Sequence, residues 1–116
     1  MNYRVVIETR AIRDIDEATG WIAAQASDAA ERWFNAIEAQ INSLSRFPER
    51  CLRAREDGLF KYELRQLVFG RRRGRYRVIF TIYEDAVHVL HVRHGARPSM
   101  TKAEIEDLLP PVWPGR

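Results

Sequence analysis

Three apolar runs between Lys61 and Arg97 set the pattern of this chain. Lys61–Phe69, Arg75–Tyr83 and Ala86–His94 are rich in β-branched and aromatic residues, and a Gly/Arg turn and then Glu84-Asp85 separate them. Runs of this kind bounded by short polar turns predict an antiparallel meander. Successive side chains along a strand point to opposite faces. In the middle run Tyr76, Val78, Phe80 and Ile82 therefore share one face, and Arg75, Arg77, Ile79, Thr81 and Tyr83 the other. One face is expected to bury against helices, and the other to stay open and present arginines.

Upstream, Tyr3–Glu8 alternates like a strand. Thr9 fits the N-cap of a helix over 10–25, whose positions Ile12, Ile15, Thr19, Ile22 and Ala26 recur at three- and four-residue steps, with Trp21 and Ala23 beside them. Gly20 in this helix is either merely tolerated or admits a close approach. Ser27 fits the cap of a second helix carrying Ala30, Phe34, Ile37, Ile41 and Leu44, with Trp33 alongside. A gap of two or three residues folds the two helices into an antiparallel hairpin. Phe47-Pro48 ends the second helix. Glu49–Leu59 is a polar connector with Arg50, Arg53 and Arg55, and a Gly58 turn leads into the sheet.

After the sheet, Pro98 breaks the chain. Thr101-Lys-Ala-Glu104 is a capping-box pattern opening a short helix with Ile105, Leu108 and Leu109 on its apolar side. Pro110-Pro111 ends it, and Val112-Trp113-Pro114 trails off. The expected fold is α+β in the order β-α-α-β-β-β. The helical hairpin packs on one face of a mainly antiparallel sheet, and a short C-terminal helix follows. Residues 1–98 form the domain and 99–116 a helical tail, which docks either on that domain or on a partner.

Composition narrows the function. A chain of 116 residues, 46% hydrophobic, supports one core. No apolar run is long enough to span a membrane, and the first residues lack a signal-peptide hydrophobic region. The single cysteine, Cys51, allows neither an internal disulfide nor a thiolate metal cluster, so the expected setting is cytoplasmic. The net charge of +3 hides an asymmetry: residues 1–49 carry −3, residues 50–97 carry +7 and residues 98–116 carry −1. Of the 19 basic residues 17 are arginine, which grips phosphates and carboxylates with two prongs and stacks on bases. The basic half reads either as a surface for RNA, DNA or an acidic protein, or as a solvated face.

No nucleotide-binding glycine loop, His-Glu-x-x-His or Gly-x-Ser-x-Gly is present, and no cofactor is implied. Gly70-Arg-Arg-Arg-Gly74 is a basic turn, read either as a solvated loop or, since Arg71, Arg72, Arg73 and Arg75 would repel one another at a loop tip, as a site for an anion or acidic partner. Alternation sends His88 and His94 to one face and His91 to the other, which argues against three-fold metal coordination. His94, beside Gly95, is either a structural hydrogen-bonding group or a site residue.

The open face is the candidate site, with Arg65 and Arg77 on facing strands, Glu63, Thr81 and Tyr83 nearby, and Arg97 just beyond the last strand. Such arginines could hold a phosphodiester and stabilise a phosphorane-like transition state. Cleavage also needs a proton acceptor and a donor. His91, His94 or Tyr83 could serve, but spacing singles out none. Glu63 amid arginines suits an ion pair.

These pieces, in this order, resemble the RelE/ParE superfamily of type II toxins, and within it the ParE, plasmid-stabilisation branch. The resemblance rests on Ala11-Ile-Arg-Asp14-Ile15, Ser27-x-x-Ala30, Leu44-Ser-Arg-Phe47-Pro48-Glu49, Glu63-Leu64-Arg65, Tyr76-Arg77-Val-Ile-Phe80 and His94-Gly95-Ala96-Arg97, across about residues 3–98. It implies a bacterial toxin that inhibits growth and is held silent by a cognate antitoxin whose acidic C-terminal segment wraps it, with higher-order toxin–antitoxin assembly possible. ParE-like members poison DNA gyrase by binding. Arg65, Arg71, Arg72, Arg73, Arg75, Arg77, His94 and Arg97 would then contact target or antitoxin. RelE-like members cut mRNA on the ribosome. Arg77 and Arg97 fall on basic positions of that set, with His91 or His94 as further candidates, but the tail has no tyrosine and the paired lysines are missing. A non-toxic nucleic-acid-binding domain is the third reading.

Overall fold

The computed structural model describes residues 2–110 and Trp113. Strand β1 (Arg4–Ile7) leads into helices α1 (Thr9–Gln25) and α2 (Ser27–Asn42), then β2 (Arg65–Phe69), β3 (Tyr76–Tyr83), β4 (Ala86–His94) and the short helix α3 (Lys102–Glu106). The sheet order is β1-β4-β3-β2. The meander β2-β3-β4 is antiparallel, and β1 adds to β4 in parallel, with Val5 opposite Val87. The expected α+β order is therefore the observed one. Of the expected trailing segment Val112-Trp113-Pro114, only Trp113 lies within the described residues.

Neither expected helix cap forms. Glu8 precedes α1, and Ala26, in extended conformation, both ends α1 and precedes α2; neither side chain makes a cap hydrogen bond. A one-residue link leaves Ser27 inside the first turn of α2 rather than ahead of it. Thr101, by contrast, forms a complete capping box with Glu104. Five residues are too few for a helix to stand alone in water. The capping box and burial of Ile105 hold α3.

The helical hairpin covers one sheet face. Ala11 and Ile15 of α1 and Ile37 and Ile41 of α2 pack with Val78, Phe80, Val87 and Val89. The other face is not open as expected. Ile79 and Leu90 leave an apolar surface there, and Ala54 of the connector and Leu64, just before β2, cover it together with Met100, Ile105, Leu108, Leu109 and Trp113 of the tail. Burying each of these larger aliphatic side chains is worth about 1.5–3 kcal/mol, enough to fix the tail to the sheet.

A bulge changes the phase of β4. Ile79 pairs with His91 but Phe80 pairs with Val89, so Leu90 has no partner opposite it. An extra residue on one strand resets which side chains share a face. His88, opposite Thr81, packs its ring on Trp113, whereas His94, opposite Tyr76, packs on that ring on the helical side. His88 and His94 thus lie on opposite faces, contrary to strict alternation. Among the described residues no cluster of three His, Cys, Asp or Glu side chains could hold a metal, and no helix is long and apolar enough to cross a membrane.

Candidate functional site

Two arginines expected to stand together on an open face are separated and tied down. The register sets Arg65 opposite Phe80 and Arg77 opposite Val68, so the two leave the sheet on different faces. Arg65 turns over the β2 edge. It donates to Glu63 at 2.7 Å and to the carbonyls of Cys51 and Glu49 at 2.6 and 3.1 Å. Glu63 also pairs with Arg53 at 3.0 Å, the ion-pairing role its setting suggested.

Arg77 is only 3% exposed. Its Nη1 and Nη2 donate to Glu56 Oε1 and Oε2 at 2.8 and 2.7 Å, and Nη1 also donates to the Gln66 side-chain oxygen. Burial alone raises the Glu56 carboxyl. The hydrogen bonds from Arg77 and the Met100 amide, with the Arg77 charge, outweigh it and hold the group at about 2. Arg93, cross-strand from Arg77, is also buried and donates to the Pro98 carbonyl. Burial, then the positive charges of Arg97 and Arg77, push its guanidinium pKa down. One carboxylate, Glu56, thus lies fully buried beside two buried arginines, leaving an excess of positive charge inside this face.

That excess borders a cavity of about 330 Å³ at the turn end of the sheet. Arg72, Arg73, Arg75, Arg77 and His94 line it with Arg55, Gln66, Val68, Gly95 and Ala96, and among the described residues no acidic side chain lines it. Local backbone shape makes the cradle. Gly70, at φ +97°, closes the β2–β3 turn so tightly that a Cβ there would lie 2.4 Å from the Gly74 carbonyl oxygen. Arg72 itself adopts a left-handed φ of 51°, a conformation costly for a residue with a side chain. Gly95 donates its N–H to the Arg75 carbonyl at 2.8 Å, and Arg55 reaches the Gly95 carbonyl at 3.1 Å. Arg71 and Arg97 are exposed and lie outside the cavity lining.

Two of the histidines carry structural hydrogen bonds. His91 lies buried with Nδ1 2.6 Å from Asp14 of α1, and the same carboxylate oxygen accepts the Val92 N–H. Burial by itself raises the Asp14 carboxyl, but these two hydrogen bonds and the neighbouring charges prevail and lower it. His94 Nδ1 accepts the Ala96 N–H at 3.1 Å. Asp14 and Glu56 were not legible as site neighbours because their partners lie 77 and 21 residues away along the chain. Arg55 stood out only as one more arginine of a polar connector.

Comparison with known proteins agrees with this architecture. A search of curated sequences finds no match. A solved structure described as the chromosomal ParDE TA system from P. aeruginosa shares the fold, with a TM-score of 0.65 and 14% identity over 79% of this chain and 95% of that one. The family described as ParE toxin of type II toxin-antitoxin system, parDE, matches residues 5–98. That match spans most of the chain, which therefore belongs to the ParE toxin family of type II toxin–antitoxin systems.

Proposed function

We propose that this toxin arrests bacterial growth in the cytoplasm by binding DNA gyrase, without chemistry of its own, and that a cognate antitoxin silences it. The placement of Arg77 carries the reading. A nuclease working from this sheet needs a free cation on the central strand to meet the scissile phosphate. Arg77 has both terminal nitrogens on Glu56. His91 is held against α1 by Asp14 and is 2% exposed, so it is not offered to solvent as a proton-exchanging group. Exposed arginines outside the cavity lining, Arg71 and Arg97 among them, then act as contact groups, and an acidic antitoxin segment that orders on binding complements the basic half of the chain.

The test is induction of this chain alone in bacteria, with growth and a DNA-damage reporter read together. Arrest with a strong reporter signal, relieved by co-expression of a cognate antitoxin, is the expected result. Arrest with a silent reporter would move the target to the ribosome. Unimpaired growth with soluble toxin present would overturn the reading.

A further inference from the structure

The basic cavity has a neighbour that the toxin reading does not use. A groove of about 520 Å³ runs beside it, lined by Trp21, Ile22, Trp33, Arg73, Gly74, Tyr76 and His94. Arg73 and His94 line both spaces, so the two adjoin around the turn end of the sheet, the cradle on one face and the groove on the other. One side is cationic and the other aromatic.

The aromatic side is built from the inside out. Trp33 of α2 packs edge-on against Phe69 and Tyr76, with centroids at 5.9 and 5.1 Å, and Tyr76 packs on His94 at 5.2 Å. These rings fix one another. Trp21 does not join them. It is 66% exposed at the groove and makes no ring–ring contact among the described residues. A large indole left to water beside a fixed aromatic wall offers a flat surface to another planar group.

The cationic side specifies what accompanies that group. Guanidinium groups come from the connector (Arg55), from the turn (Arg72, Arg73) and from the approach to β3 (Arg75), and none of these four has an acidic partner among the described residues. Buried Arg77 stands behind them with its Nε unpaired. Donors converging from several directions suit the oxygens of a tetrahedral phosphate better than the two coplanar oxygens of a carboxylate. A phosphate beside a planar base is the repeating unit of a polynucleotide. Only an unpaired strand can turn its bases outward onto aromatic rings.

We infer that the arginine cradle and the Trp21 groove together form a binding site for a single-stranded polynucleotide, with the backbone phosphates on Arg55, Arg72, Arg73 and Arg75 and a base stacked against Trp21. The site serves binding, not cleavage. It does not depend on which cellular target the toxin has, since it is defined by groups in this chain alone.

The experiment titrates purified toxin with fluorescein-labelled oligo-dT, oligo-U and a duplex of equal length, following anisotropy across a salt series and intrinsic tryptophan fluorescence. Single strands are expected to bind at least ~10-fold more tightly than duplex and to quench tryptophan emission. Arg73→Ala with Arg75→Ala should lower the salt slope by about 1.4, two phosphate contacts at ~0.7 each. Trp21→Ala should weaken binding at least ~5-fold, abolish most of the quenching and leave the salt slope unchanged. Arg13→Ala, on the exposed surface of α1, is the control for charge alone. Equal affinity for duplex, or full affinity in Trp21→Ala, would overturn the site. So would polyglutamate competing as well as oligo-dT, because the cradle would then serve a carboxylate-bearing partner. The oligo-dT and oligo-U arms distinguish DNA from RNA. Trp21 and the turn arginines are exposed, so unchanged thermal melts are expected and verify that each variant is folded.

Discussion

Arg77 on β3 meets Glu56 of the connector in a two-pronged ion pair, at 2.8 and 2.7 Å, with Glu56 fully buried. Glu56 Oε2 also accepts the Met100 N–H at 2.9 Å. One carboxylate thus ties together the central strand, the connector and the start of the tail. Removing either charged partner strands the other in a dry interior, which costs about 3–5 kcal/mol. Arg77→Ala and Glu56→Gln should therefore each lower the denaturant midpoint sharply with little change in slope. A loss of toxicity in Arg77→Ala would then be traced to folding. Replacing both partners together by Met and Leu should cost less than the two single changes combined, and a double-mutant cycle in urea measures this.

The same pair predicts an acid transition. The Glu56 carboxyl is held at about 2 in the folded chain, against an ordinary value of 4.5. Its folded-state pKa is depressed, so its contribution is present above pH 4.5 and is lost as the pH falls from there through about 2. The full contribution is on the order of 3 kcal/mol. Urea midpoints measured between pH 6 and pH 2.5 should fall progressively below pH 4.5, and Glu56→Gln should flatten the curve. A variant curve as steep as the parent's would assign the acid sensitivity to other carboxylates.

Asp14 holds the β4 bulge against α1. Its Oδ2 serves both His91 Nδ1 and the Val92 N–H, at 2.6 and 3.0 Å. Asp14→Ala leaves both donors buried without an acceptor, at about 1–3 kcal/mol for each unsatisfied group. Hydrogen exchange at the Val92 amide should accelerate more than at Val78, which lies opposite it on β3. Equal acceleration at both positions would mean a global loss of stability instead of a local one.

Chain order and core assignment followed from the residue pattern because alternation and three- and four-residue spacing are local properties. Tyr76, Val78, Phe80 and Ile82 do face the helices, and Thr101 and Glu104 do close a capping box. The second face does not stay open, because its cover comes from the segments before β2 and after β4. Ile79 and Leu90 are sealed by Leu64, Ile105 and Trp113, contacts that no periodicity encodes. The bulge at Leu90 was equally illegible, and one extra residue sufficed to part His88 from His94. The basic turn was visible as a run of arginines. Its conversion into a cradle depends on Arg55 and Gly95 meeting it from two other segments.

Two glycines that look alike in sequence should respond oppositely to alanine. Gly20 lies inside α1, and a Cβ there would meet nothing within 4 Å. Of the two roles its position allowed, the structure leaves only tolerance, with no close approach to protect. Gly20→Ala should stabilise the protein by about 0.8–1 kcal/mol through helix propensity alone. Gly70 sits at φ +97°, and a Cβ would lie 2.4 Å from the carbonyl oxygen of Gly74, a backbone atom that cannot rotate away. Gly70→Ala must open the β2–β3 turn and displace Arg72 and Arg73 from the cavity they line. Thermal melts should separate the two variants in opposite directions from the parent. Since that turn also borders both the basic cavity and the Trp21 groove, Gly70→Ala should weaken oligonucleotide binding while Gly20→Ala leaves it unchanged. Equal melting temperatures for the two variants would mean that the turn relaxes at no cost and that its geometry does not set the arginines.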